Sequence, residues 1–125
     1  MTFKYPLATA TWDQKEIDAM QKVIASGNFT MGEKVSLFEK EFSNYIGSQN
    51  AVMVNSGSSA NLLAFQTLIN PYRKNRLKIN DEVLVPSLCW PTSFWPIIQS
   101  NLKPVFVDCD IKNFNIDIND LEKKI

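Results

Sequence analysis

The chain contains no histidine, which limits the chemistry that its own side chains can perform. Without an imidazole, neither a Ser-His-Asp triad nor a histidine-bound zinc ion can be built from these residues alone. Any reaction that needs imidazole would take it from outside this sequence. We expect no metal site in the chain.

Cysteine is also scarce, because only Cys89 and Cys109 occur, and they do not form a CxxC pair. No secretory signal precedes them, and no apolar run approaches the roughly 20 residues that a membrane-spanning helix needs. We therefore expect reduced thiols and a soluble, cytoplasmic protein with no membrane partner.

The chain has no excess of either charge, because 13 Lys and Arg residues balance 13 Asp and Glu residues. A nucleic-acid partner is therefore not expected. The one basic cluster is interpreted as a solvated connection, with contact to an anionic ligand as the alternative. The cluster consists of Arg73, Lys74, Arg76 and Lys78. With 125 residues, of which 45% are hydrophobic, the chain suits one α/β domain.

The first 50 residues predict an irregular arm followed by two helices. The arm, Thr2–Ala10, has extended character and no helical period. The first helix should end at Gly27, since glycine readily adopts the left-handed conformation that closes a helix. Two capping pairs are compatible with its start: Thr11 with Gln14, or Asp13 with Glu16.

The second helix is predicted to run from Glu33 to Ile46, with Gly47 as its stop. A loop bordered by glycine, Asn28–Gly32, separates the two helices. One side of the second helix is apolar and is expected to pack in a core. Its residues are Val35, Phe38, Phe42, Tyr45 and Ile46.

The stretch Ala51–Asn61 has the pattern of a strand, a tight turn and a helix start. Its apolar residues Ala51–Val54 predict the strand, and the helix should run from Ser58 to a stop near Pro71. Free N–H groups at such a helix start, together with serine hydroxyls, can hold a phosphate. The alternative is that Ser58 or Ser59 only caps the helix.

Two further apolar runs, Val83–Val85 and Val105–Val107, predict strands. A short helix over Ser93–Ser100, with Pro96 in its first turn, should connect them, and Asn119–Ile125 predicts a final helix. Short apolar strands joined by helical crossovers favour a parallel sheet, so residues 51–125 are expected to form a βαβαβ unit.

Three loops follow the three predicted strands: Asn55–Ser59, Pro86–Thr92 and Asp108–Asp110. In open α/β sheets, ligands bind beyond the carboxyl ends of the strands. The convergence of these loops favours an anion site over a simple helix cap.

Several spaced motifs resemble one known family. They are NSGSSAN at 55–61, DEVLVP at 81–86, PVFVDCD at 104–110, the glycine loop at 27–32, VSLFE at 35–39 and YIG at 45–47. Together they resemble the DegT/DnrJ/StrS family of pyridoxal-phosphate enzymes, which act on nucleotide-linked keto sugars. The resemblance covers nearly the whole chain in order.

The resemblance implies the N-terminal part of the large domain of a type I, aspartate aminotransferase-like fold. That fold is a three-layer α/β arrangement with a mostly parallel sheet, and it works as a homodimer. Residues 1–50 would supply the arm and two helices, and residues 51–125 the phosphate-binding turn.

The resemblance also implies roles for individual residues. Gly57, Ser58 and Ser59 would bind the phosphate of pyridoxal 5'-phosphate, and Thr92 would add a polar contact. Trp90 would stack on the pyridine ring, where a flat π-surface can hold the ring in place. The alternative for Trp90 is a loop tryptophan that packs into the core.

No catalytic residue is predicted within these residues. Asp108 and Asp110 match a strand end of the family, but the aspartate that pairs with the pyridinium nitrogen lies in a later strand. The Schiff-base lysine, or the histidine that replaces it in the sugar dehydrases, also lies downstream. Family members are several times as long, so we expect this chain alone to be inactive.

Three functions are compatible with this resemblance. The first is transfer of an amino group from an amino-acid donor to a nucleotide-linked keto sugar, for polysaccharide or deoxyamino-sugar biosynthesis. The second is 3-dehydration of a nucleotide-linked 4-keto-6-deoxyhexose, a branch that the NFTMG stretch at 28–32 and the NSGSSANLL run resemble more. The third is a non-catalytic α/β ligand-binding module.

Overall fold

A computed structural model describes residue 5 and residues 8–125 of the chain. The chain forms two compact units, one ending at Met53 and one comprising Val54–Ile125, and each is described by itself. Of the predicted arm, residues 2–4, 6 and 7 lie outside the described residues, and the rest has no regular structure. No helix in the described part of the chain has the length and hydrophobicity needed to cross a bilayer.

The first unit contains helix α1, Gln14–Ser26, which begins at the second of the two predicted capping pairs. The Asp13 carboxylate accepts from the N–H of Lys15 at 2.7 Å, and the Asp13 N–H donates to the Glu16 carboxylate at 2.7 Å. This reciprocal pair satisfies two N–H groups that a helix start leaves open. Gly27 ends the helix in the left-handed region, with a φ of 67°, as predicted.

Helix α2 spans Glu33–Ile46 and stops at Gly47, whose φ is 72°, so its predicted bounds are confirmed. The predicted packing of its apolar side in a core is wrong for the described residues. Phe38 remains 50% exposed and Tyr45 87% exposed. The rings of Phe38 and Phe42 instead stack on each other, with their centroids 5.6 Å apart.

The predicted strand Ala51–Val54 is not formed. A strand needs a neighbouring strand for its N–H and C=O groups, and here the Met53 N–H donates to the Glu39 carboxylate at 2.8 Å instead. Val52 is 69% exposed, which also differs from the buried strand that was expected. An apolar run of four residues therefore does not suffice to define a strand.

The second unit contains a parallel pair of strands joined by a helix. Strand β1, Glu82–Pro86, and strand β2, Lys103–Val107, confirm two of the predicted strands and the parallel sheet. Leu84 is paired with Val105, and the N–H of Ser87 continues the ladder to the carbonyl of Val107 at 2.7 Å. In the described part of the predicted βαβαβ unit, the first strand is therefore missing. Its helix is present, and one βαβ crossover follows it.

Three helices surround this sheet: α3, Gly57–Leu68; α4, Pro91–Gln99; and α5, Ile118–Lys124. Helix α4 begins two residues earlier than predicted, because Pro91 occupies the first helical position, where its missing N–H costs nothing. Pro96 consequently lies inside the helix and not in its first turn. The buried hydrophobic residues are Val85, Ile97, Leu102 and Val107.

The connection between α3 and β1 lies mostly on the surface, and it is ordered by two turns and by the Leu77 N–H, which donates to the Leu68 carbonyl of α3 at 3.0 Å. The Arg73 N–H donates to the Asn70 carbonyl and the Asp81 N–H to the Lys78 carbonyl, both at 3.0 Å. Tyr72 is 98% exposed. This agrees with the interpretation of the basic cluster as a solvated connection.

Candidate functional site

The start of helix α3 differs in one respect from the predicted turn, because Ser56 caps the helix and not Ser58 or Ser59. The Ser56 hydroxyl accepts from the N–H of Ser59 at 3.2 Å. Gly57, Ser58 and Ser59 therefore form the first turn of the helix. Their position is the one at which a helix presents its open N–H groups and the positive end of its dipole.

The two serines in this first turn differ in the partners they already have. The Ser59 hydroxyl donates to the Asn55 side-chain oxygen at 2.6 Å, and the Ser56 hydroxyl donates to Ser59 Oγ at 3.2 Å. In the described part of the chain, neither the N–H nor the hydroxyl of Ser58 has a protein partner, and the N–H of Gly57 has none. Gly57 and Ser58 are therefore the donors available to an anion.

A cleft of roughly 220 Å³ lies between the first turns of α3 and one side of α4. Two predicted site residues of α3 line it, and the predicted Thr92 lines it from α4. The full lining is Ser58, Ser59, Leu62, Thr92, Trp95, Pro96 and Gln99. The lining contains no charged side chain, so a bound anion would depend on helix N–H groups and hydroxyls.

The side of α4 that faces the cleft was not predicted from the sequence. Trp95, Pro96 and Gln99 lie three, four and seven residues after Thr92. This is the spacing of residues on one face of a helix, so the signal was available. The predicted helix begins at Ser93, so that prediction places Thr92 in a loop and not on this face.

Two hydrogen bonds connect α3 with α4 and its C-cap Ser100, one at each end of α4. At the cleft, the Asn61 side-chain amide donates to the backbone carbonyl of Thr92 at 3.1 Å. Away from the cleft, the Gln66 side-chain amide donates to the Ser100 hydroxyl at 3.2 Å. The relative positions of the two helices are therefore held by side chains as well as by packing.

Trp90 precedes the first residue of α4 and is 75% exposed. The alternative in which this tryptophan packs into the core is thus wrong for the described chain. Trp90 does not line the cleft between α3 and α4, where the tryptophan present is Trp95. An exposed indole leaves surface on which a planar ligand could stack.

Gly57 has open space where a side chain would be. A Cβ atom placed on it would meet no atom within 4 Å. Protein packing therefore does not require glycine here. Open space next to unpaired N–H groups fits the close approach of a ligand to the backbone.

The loop that follows β2 is held together by its own aspartates. The Asp108 carboxylate accepts from the N–H of Cys109 at 2.8 Å, and the Asp110 carboxylate accepts from the N–H of Lys112 at 2.7 Å. These bonds order the turn.

Helix α5 is attached to this loop through one carboxylate. Asp120 accepts from the N–H of Asp108 at 2.7 Å and from the Lys124 ammonium at 2.6 Å. The Lys124 ammonium also donates to the carbonyl of Phe106 at 2.7 Å. The Asp108 N–H, followed by Lys124, holds the pKa of Asp120 below its usual range.

Comparison with proteins of known sequence identifies the chain's relatives. Residues 10–125 match the family described as the DegT/DnrJ/EryC1/StrS aminotransferase family. A GDP-4-keto-6-deoxy-D-mannose 3-dehydratase of Yersinia pseudotuberculosis is 47% identical over 121 residues, which are 97% of this chain and 30% of that protein. A dTDP-3-amino-3,6-dideoxy-alpha-D-galactopyranose transaminase of Aneurinibacillus thermoaerophilus is 36% identical over 113 residues, covering 90% of this chain and 29% of the transaminase.

The solved structures agree with this result. The GDP-4-keto-6-deoxy-D-mannose 3-dehydratase of Escherichia coli, with bound hydrated pyridoxal phosphate (PLP), matches with a TM-score of 0.90 and 46% identity. The match covers 100% of this chain and 32% of the dehydratase chain. The predicted fold class is confirmed, and the chain spans about a third of the length of these relatives. The chain belongs to the DegT/DnrJ/EryC1/StrS aminotransferase family.

Proposed function

We propose that the protein containing this chain is a PLP-dependent 3-dehydratase of a nucleotide-linked 4-keto-6-deoxyhexose. The observation that carries this proposal is the 47% identity to a GDP-4-keto-6-deoxy-D-mannose 3-dehydratase, against 36% to the sugar transaminase. The sequence predicts amino transfer to a keto sugar as the main function and dehydration as its alternative. The relatives support the alternative better.

The start of α3 and the cleft beside it would hold the phosphate of this cofactor. The N–H groups of Gly57 and Ser58 and the Ser58 hydroxyl would donate to it, at the positive end of the α3 dipole. Ser59 would support the phosphate site indirectly, by holding the shape of the turn, because its hydroxyl already donates to the Asn55 side chain. Thr92 would add a polar group from the opposite wall.

The ring of the cofactor would be oriented by an aromatic face from this chain. We assign this role to Trp90, whose exposure leaves its indole open to a planar group. Bound PLP supplies an electron sink that allows a bond next to a carbonyl-derived carbon to be broken. The part played by this chain would be to bind the phosphate and to fix the ring, because the lining of the cleft has no carboxylate, lysine or thiol to transfer a proton.

The remaining features of the proposal are the substrate, the amino donor, the location and the assembly. The substrate would be a nucleotide-linked keto sugar, as the name of the Yersinia pseudotuberculosis relative states for that protein. An amino-acid donor would be needed to convert the cofactor to its amine form in either reaction. We also propose a cytoplasmic homodimer in which residues 1–50 and 51–125 are parts of one large domain.

The test is to incubate the purified product of the gene that encodes this chain with PLP, glutamate and GDP-4-keto-6-deoxy-D-mannose. Mass spectrometry of the sugar nucleotide then separates the candidates. A product that has lost one oxygen atom while keeping its keto group supports dehydration. A product in which an amino group has replaced the keto oxygen would instead support the aminotransferase.

Binding is tested separately, so that a wrong substrate does not obscure the result. The Ser58→Ala variant should bind pyridoxamine 5'-phosphate about tenfold more weakly, because a hydroxyl that donates to a charged group is lost. Ser48→Ala, which removes an exposed hydroxyl bonded to Asn50, is the matched control. Equal affinity in the Ser58 and Ser48 variants would contradict the proposed phosphate site and favour the non-catalytic module.

A further inference from the structure

We propose that Asn61 is a positioning residue for the proposed phosphate site. It lies on α3 two residues after Ser59, and its amide reaches across to α4. The inference rests on the proposed function, because it concerns how the two walls of the cofactor cleft are held in place.

Pro96 explains why this contact is needed. In an α-helix the N–H of each residue donates to the carbonyl four residues earlier, so the carbonyl of Thr92 would be paired with residue 96. Proline has no N–H, and Pro96 therefore leaves the Thr92 carbonyl without its helical donor. The Asn61 side-chain amide donates to this carbonyl at 3.1 Å.

The replacement bond has a consequence that a helical bond would not have. A bond from residue 96 would stay within α4, whereas the bond from Asn61 joins α4 to α3. It does so at Thr92, which lines the cleft opposite Ser58 and Ser59. Pro96 and Asn61 together thus convert a helix-internal hydrogen bond into a tie between the two walls of the cleft.

The chain offers a matched control at the other end of the same helix pair. The amide of Gln66 donates to the Ser100 hydroxyl at 3.2 Å, and neither residue lines the cleft. Removing either amide deletes one bond between α3 and α4. Only the loss of Asn61 should affect the cleft.

The experiment compares pyridoxamine 5'-phosphate with pyridoxamine, so that the ratio of the two affinities reports on the phosphate alone. Neither probe has an aldehyde, which prevents reaction with surface lysines. Binding is followed by chemical shifts in ¹H–¹⁵N spectra of the full chain, which also report on folding. In Asn61→Leu the preference for the phosphorylated probe should fall about two- to tenfold, the range for one neutral hydrogen bond. In Gln66→Leu it should not change.

The origin of the bond is tested by a double-mutant cycle with Pro96→Ala, which restores an N–H at residue 96. Asn61→Leu should lower the urea midpoint of unfolding less in the Pro96→Ala background than in the parent. An equal effect in both backgrounds would show that Asn61 does not substitute for the missing helical donor.

Each outcome has a distinct meaning. A parent chain that binds both probes equally would overturn the phosphate site and this inference with it. A parent that prefers the phosphorylated probe, with an Asn61→Leu variant that is folded and keeps the full preference, would overturn this inference alone. Asn61→Ala, which removes the same donor, decides the case in which Asn61→Leu does not fold.

Discussion

Replacing Gly57 with alanine should make the fold more stable and the proposed phosphate site weaker. Gly57 is the first residue of α3, its φ lies outside the left-handed region, and an added Cβ meets no atom within 4 Å. Alanine therefore fits without strain and restricts the unfolded chain. The expected gain in the free energy of unfolding is about 0.4–1 kcal/mol.

Gly47→Ala is the matched control for stability. An added Cβ on Gly47 also meets nothing within 4 Å, but its φ is +72°. A left-handed conformation costs a non-glycine residue about 1–2 kcal/mol, so this variant should be destabilised. Urea unfolding followed by circular dichroism, without ligand, measures both changes.

The same two variants are then titrated with pyridoxamine 5'-phosphate. A methyl group at Gly57 would occupy the space through which a phosphate reaches the N–H groups of Gly57 and Ser58. Loss of one hydrogen bond to a charged group corresponds to about 1.5–3 kcal/mol, so the dissociation constant should rise about tenfold or more. Gly47→Ala should bind as the parent does. The reasoning is refuted if Gly57→Ala keeps the parental affinity or is destabilised as much as Gly47→Ala.

Two further predictions concern the second unit. Ile97→Ala should lower the free energy of unfolding by about 2–5 kcal/mol, because Ile97 is only 1% exposed. Ile98→Ala, at a position that is 45% exposed, should lower it clearly less. Similar urea midpoints of the two variants would contradict the assigned core. The folded chain lowers the pKa of Asp120, so the ionised carboxylate should stabilise the fold at any pH above the usual pKa of aspartate. This stabilisation should disappear as the pH falls through the pKa that Asp120 has in the folded chain. The unfolding midpoints of the parent and Asp120→Asn should therefore differ near neutral pH and converge in acid, and a difference that persists at low pH would argue against this role.

Helix ends were predictable where a residue's own backbone preference decides them. Gly27 and Gly47 end α1 and α2 because glycine tolerates a positive φ, and that preference is local. The start of α1 was ambiguous, because two capping pairs overlap in sequence. Only the hydrogen bonds of Asp13 and Glu16 distinguish them.

Predictions failed where the outcome depends on distant partners. The run Ala51–Val54 has strand composition, but a strand is a relation between two segments, and the described residues supply Glu39 as a partner for Met53 in its place. The start of α4 differs for a local reason: the predicted loop Pro86–Thr92 includes Pro91, but proline suits the first helical position.

The sequence also could not predict that the Ser59 hydroxyl is bonded within the protein while the Ser58 hydroxyl is available to a ligand. Both are serines in the first turn of one helix, and the resemblance assigns them the same role. The difference arises from Asn55, which accepts the Ser59 hydroxyl proton at 2.6 Å. Such a difference depends on side-chain geometry, which residue types alone do not determine.

The surface connection between α3 and β1 has a consequence for the evolution and engineering of this protein. Two of its turns close within the segment, through Asn70 with Arg73 and Lys78 with Asp81, and the Leu77 N–H ties the segment to the Leu68 carbonyl of α3. Changes in the length of such a loop cost little loop-closure entropy, since each doubling of length adds only about 0.6 kcal/mol. Insertions, deletions and epitope tags should therefore be tolerated at residues 74–76, between the first turn and Leu77, which packs against the core.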